Sequence, residues 1–202
     1  ELEVRGRRTG ILQHGDRSLK PLTVGRRLAY IGSLERPNPF QPGERSAMTT
    51  GAQLLALAET RIGEKYVNVQ VPKDNANWHG PWDCAEFASW LAYQTARKLY
   101  GCVDNADDPA VADAYSGAWV RDAIDGTVNR ITQREANGVA GAVLIRKPPA
   151  PGKMGHIAVT DGHGGTVEAA GVNLGVRRDK VEGRLWNYIV KIPELAYSST
   201  GY

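Results

Sequence analysis

No stretch of about eighteen apolar residues occurs in the chain, so no transmembrane helix is expected. Cysteine is scarce. Cys84 and Cys102 are the only two, too few for a disulfide framework, and a bridge between them would consume the best nucleophile candidate. A His-Glu-x-x-His pair, paired-cysteine zinc spacing and a phosphate-cradling Gly-Lys-Ser/Thr loop are all missing, which argues against metal and nucleotide mechanisms and predicts no cofactor. Charge is nearly balanced: the formal net charge is +3, with no Lys/Arg block, so a nucleic-acid partner is not expected. The opening Glu1-Leu2-Glu3 lacks a basic segment followed by an apolar one, as expected of a chain whose leader has been removed or of a piece of a longer protein.

What remains is an ordinary globular composition, 42% hydrophobic over 202 residues, enough to bury a real core. Residues 1–45 read as a small β appendage, made of short β-like runs among Gly and Arg turns, ending in a linker with prolines at Pro37, Pro39 and Pro42. The main domain is expected over residues 46–202. It begins helical, with Leu54, Leu57, Ala58 and Ile62 at three- and four-residue steps from Thr50 to Gly63. After a Pro/Asn/Gly/Trp-rich loop, Asp83 can cap a second helix running to about Tyr100, with Glu86 placed to close a capping box. A third helix is predicted over 113–125. Strands follow at 139–146, 156–160, 166–170 and 186–192. Helices first and an antiparallel sheet afterwards define an α+β domain.

Cys84 falls in the first turn of the second helix, where free backbone N–H groups and the helix dipole favour a thiolate. Asp83 and Glu86 oppose this, so a basic partner is required. Of the four histidines, His14 lies in the appendage, His79 in a loop and His163 in a Gly-rich turn. His156 alone begins a strand, where a sheet would hold its ring. Glu168 on the next strand shares the His156 face if the intervening loop has an odd number of residues, as the five residues 161–165 suggest. Glu168 would then accept the Nδ1 proton of His156 and leave Nε2 facing Cys84. The Cys84 N–H is the natural first oxyanion donor, with Tyr66 a candidate second if its loop folds back. Trp78, Trp82 and Trp90 crowd the nucleophile, either as core packing or as a ligand wall. Asp104, Asn105, Asp107 and Asp108 lack the spacing of a calcium loop.

Asp83-Cys84-Ala85-Glu86-Phe87, Gly141 to Ile145, Gly155-His156-Ile157-Ala158-Val159 and Thr166-Val167-Glu168-Ala169, in that order, resemble the NlpC/P60 superfamily of cell-wall peptidases over roughly residues 50–192. The resemblance implies a papain-like fold, with Cys84, His156 and Glu168 as catalytic residues and Tyr66, Trp82 and Asp83 as oxyanion or substrate contacts. It further implies cleavage of an amide in peptidoglycan stem peptides, commonly between D-glutamate and a diamino acid, without metal, in the envelope or outside the cell. Oligomeric state is left open. Where the family has Ser-Gly after the cysteine, this chain has Ala85-Glu86, a carboxylate expected near the pocket. Two readings keep the chemistry and change the substrate, a cell-wall amidase and a thiol acyltransferase of the same fold, and Glu86 together with the unassigned appendage keeps a third in view, a peptidoglycan-binding module with an idle site.

Overall fold

The computed structural model describes residues 48–199, and the appendage expected over 1–45 lies outside the described residues. The elements run α1 (Gly51–Glu59), α2 (Cys84–Ala96), α3 (Ser116–Asp125), β1 (Asn129–Arg130), α4 (Gln133–Ala136), β2 (Ala140–Arg146), β3 (His156–Asp161), β4 (Gly165–Ala169), β5 (Val176–Lys180) and β6 (Tyr188–Lys191). The strands form one antiparallel sheet in the order β1-β6-β2-β3-β4-β5. This is the α+β architecture expected. No helix among the described residues is long and apolar enough to cross a membrane.

Burial on both faces explains why the central strands read as near-continuous apolar runs. Val143, Ile145, Ile157, Val159 and Val167 face the helices, in one cluster with Leu54, Phe87, Trp90 and Leu91. Ala142, Leu144, Ala158 and Ile189 face the other way, against Ala136, Val139 and Val181, with Trp186 packed over them. The side chain of a residue such as Leu91 or Ile157, removed wholly from water, contributes about 2 kcal/mol. Helix α1 lies tight on β2: a Cβ at Gly141, where φ is +80°, would stand 2.0 Å from the Gly51 carbonyl oxygen. Only glycine permits both that backbone angle and that approach.

Several boundaries differ from expectation. Helix α2 ends at Ala96 rather than near Tyr100, because Arg97 turns left-handed (φ 54°). Helix α3 starts at Ser116, since residues just before it are extended by the Cys102–Ala114 bridge. Strand β5, Val176-Arg177-Arg178-Asp179-Lys180, was not anticipated: it is an edge strand whose largely exposed side chains carry no apolar alternation.

Asp83 caps α2 as expected, its Oδ1 accepting the Glu86 N–H at 2.8 Å. Glu86 does not close the capping box. Its carboxylate turns inward and the residue is 1% exposed: Oε2 accepts from Lys73 Nζ at 2.5 Å and from the Val71 N–H at 2.9 Å, while Oε1 accepts from the Ala114 N–H at 2.7 Å. Lys73, fully buried, also donates to the carbonyls of Val71 (2.8 Å) and Ala112 (2.6 Å). Burial pushes Glu86 up to about 7, while Lys73 and the two amides oppose the shift. One ion pair therefore ties α2 to the two loops that flank its first turn.

Removing one partner strands the other charge in the core. Lys73→Met is expected to lower the unfolding free energy by about 3–5 kcal/mol in urea denaturation, and a Lys73→Met/Glu86→Leu double variant to recover part of it. A loss below about 1 kcal/mol, the size of a surface pair, would contradict this role.

Candidate active site

Cys84 is the first residue of α2, so its N–H has no partner inside the helix. The side chain is buried, 3% exposed, and its thiol faces the backbone N–H of Ile157, the residue after His156 on β3. Burial pushes the thiol up to about 11, and the Asp83 carboxylate adds to the rise, while the N–H groups of Ile157, Cys84 and Ala85 pull the other way. The helix-start effect expected from sequence is present, but desolvation outweighs it. At rest Cys84 is therefore a neutral thiol.

His156 and Glu168 share a face, as the odd loop requires. Thr160 pairs with Thr166 across the five residues 161–165, and extending that register sets Ala158 opposite Glu168, with His156 one diagonal step away. The imidazole reaches Glu168 across that diagonal through Nε2, which donates to Oε2. This corrects the expected ring orientation: Nε2, not Nδ1, meets the carboxylate, and Nδ1 lies nearer the backbone. Trp186 flanks the ring, with centroids 6.1 Å apart and planes tilted by 32°. Ser116, the first residue of α3, accepts the Gly155 N–H at 2.9 Å and anchors the start of β3.

Glu168 is fully buried and also accepts from Thr166 Oγ1 (3.0 Å) and from both Nη atoms of Arg184, Nη2 at 2.8 Å. Burial opposes its ionisation but is outweighed by Arg184 and His156, which hold it down to about 2.

Tyr66 comes to the nucleophile because its loop folds back on the residue before the cap: the Val67 N–H reaches the Trp82 carbonyl at 2.9 Å, and the Trp82 N–H reaches that of Lys65 at 3.0 Å. Its hydroxyl meets the N–H and thiol of Cys84, and burial, then Cys84 and Asp83, raise its pKa, so it stays a neutral donor. Trp82 itself corrects the expectation of a substrate contact. It is fully buried, edge-on to Phe87 at 5.2 Å and 5.0 Å from Trp90, with its indole N–H on Glu64. Trp90 is likewise core, and Trp78 packs half-buried against it. Asp83 caps α2 and, with 6% exposure, also lines a cavity of about 360 Å³ opening on Cys84, together with Asn68, Gln70, Asp113 and Tyr115. Burial raises its pKa against the N–H groups of Glu86 and Ala85. Glu86, expected near this pocket, points away from it into the core.

His79 and His163 stay outside the site, both exposed. Lys73 and Arg184 escaped sequence reading: one sits in a polar loop and the other in Glu182-Gly183-Arg184, where each resembles a solvated turn charge.

The sequence matches no protein-family model, and no curated protein matches it. Solved structures do resemble the fold. The NlpC/p60 domain of the peptidoglycan hydrolase SagA is 20% identical, covering 70% of this chain and 98% of that one, with a TM-score of 0.46. NlpC1 from Trichomonas vaginalis is 11% identical over 80% of this chain and 49% of its own, TM-score 0.47. The peptidoglycan hydrolase RipB from Mycobacterium tuberculosis is 16% identical over 70% of this chain and 64% of its own, TM-score 0.44. This chain therefore spans about half the length of NlpC1.

Because the folded state holds Glu168 near 2 against an ordinary 4.5, its contribution to stability is complete above pH 4.5 and is lost as pH falls from there toward 2. Acid titration of the unfolding free energy is expected to show a loss on the order of 3 kcal/mol across that window, absent in Glu168→Gln. An identical acid limb in wild type and Glu168→Gln would contradict the depressed carboxylate.

Proposed function

We propose that this chain is a cysteine hydrolase that cleaves an amide bond in peptidoglycan stem peptides, in the cell envelope or outside the cell. The observation that carries the reading is the convergence of Cys84 at the start of α2 with the first residues of β3, where Glu168 fixes the His156 tautomer. On this reading the Cys84 sulfur attacks the peptide carbonyl carbon as its proton passes to His156 Nδ1. The Cys84 N–H and the Tyr66 hydroxyl donate to the oxyanion. As the C–N bond breaks, His156 returns the proton to the leaving amine. Water, deprotonated by the same nitrogen, then attacks the thioester carbonyl, frees the carboxylic acid and restores the thiol.

The choice of wall peptide follows the NlpC/P60-like motifs, and within them the bond between D-glutamate and a diamino acid is the favoured target. The same chemistry at another wall bond, or acyl transfer to an amine, differs only in the product. The idle-module reading began from Glu86 and from the appendage; the appendage lies outside the described residues, and the Glu86 carboxylate is turned into the core, away from the cavity beside Cys84.

Purified protein added to peptidoglycan fragments is expected to release new amino groups, with mass analysis of the products identifying the bond, and Cys84→Ala is expected to lower the rate by about a thousandfold or more. Binding to the wall without product in the wild type, or equal product from Cys84→Ala, would overturn the assignment.

A further inference from the structure

A buried carboxylate alone beside an imidazole favours the imidazolium. An imidazolium at rest cannot take a proton from a neutral thiol. Glu168 is not alone: both Nη atoms of Arg184, from the segment between β5 and β6, grip both of its oxygens in a fork. The guanidinium lies 4.6 Å over the Trp186 ring, whose neighbour is the His156 ring. Trp186 thus spaces Arg184 from His156 while Glu168 bridges them.

We propose that Arg184 is a positioning residue of this site: its fork holds Glu168 in the orientation that receives the His156 Nε2–H, and its charge offsets the carboxylate, so that Glu168 favours an imidazolium less than it would alone. The inference rests on the Cys84–His156 reading of the site. A lysine could restore the charge but not the planar two-point grip. The other ionisable groups bearing on His156 do not substitute for Arg184. Cys84, on α2, is an uncharged thiol. Arg146, the cross-strand partner on β2, is exposed to solvent. Asp179, on β5, lies 4.0 Å from Arg184 and draws on the same cation.

The test is an NMR titration of the His156 imidazole in the full chain, wild type against Arg184→Met and Arg184→Lys. Arg184→Met is expected to raise the His156 midpoint by about one unit or more, and Arg184→Lys by less. The acid limb of the kcat/KM profile on wall fragments is expected to move the same way. A residue that merely packs would lower stability without moving the imidazole. A His156 midpoint in Arg184→Met at or below the wild-type value overturns the proposal. Should that variant fail to fold, a midpoint in Arg184→Lys at or below wild type does the same. The titration needs neither substrate nor thiol and can be repeated in Cys84→Ala, so its failure is distinguishable from a failure of the hydrolysis assay.

Discussion

Burying a carboxylate in a protein interior is destabilising by several kcal/mol unless a counter-charge and hydrogen bonds accompany it. Glu86 has all of these, and each comes from a different part of the chain. Lys73 and the Val71 amide belong to the loop before the nucleophile, and the Ala114 amide to the segment leading into α3. Because Glu86 lies on α2 just after Cys84, the ion pair holds both loops against the helix end that carries Cys84. The cavity wall at Gln70 on one side and Asp113 to Tyr115 on the other follows from that connection. Glu86 thereby ties both loops that wall the cavity to the first turn of α2.

A second chain of charges completes it from the far side of the sheet. Arg184 forks onto Glu168, and Glu168 accepts the hydrogen bond from His156 Nε2, which leaves Nδ1 as the ring's other nitrogen. Burial leaves the Cys84 thiol uncharged at rest, so its proton need move only when a carbonyl arrives. That arrangement suits attack on an amide in a desolvated pocket, where separated charges would be costly at rest.

The parts legible in sequence were those encoded locally. Asp83 as a cap places Cys84 at a helix start, Gly155-His156 opens a strand, and an odd loop brings Glu168 to the same face; each depends on neighbours a few residues apart. Tyr66 was legible as a candidate through the resemblance, which carries a tyrosine ahead of the cysteine, and not through local pattern. Other features depend on tertiary contacts that single-sequence patterns do not carry. Lys73 and Glu86 are 13 residues apart, and Glu168 and Arg184 are 16 apart, with no periodicity linking either pair. Trp82, read either as core packing or as a ligand wall, is core: its ring packs against Phe87 and Trp90. The ring orientation of His156 was missed for the same reason, since it is set by where Glu168 and Trp186 sit in space.

The central claim is that His156 serves Cys84 as a base, and the rate of Cys84 alkylation by iodoacetamide at pH 7, followed by peptide mass mapping, tests it most directly. The account predicts that His156→Ala slows modification of Cys84 by at least about tenfold, because burial leaves the isolated thiol protonated. Equal rates in wild type and His156→Ala would mean that the two side chains do not act together, and would contradict the account.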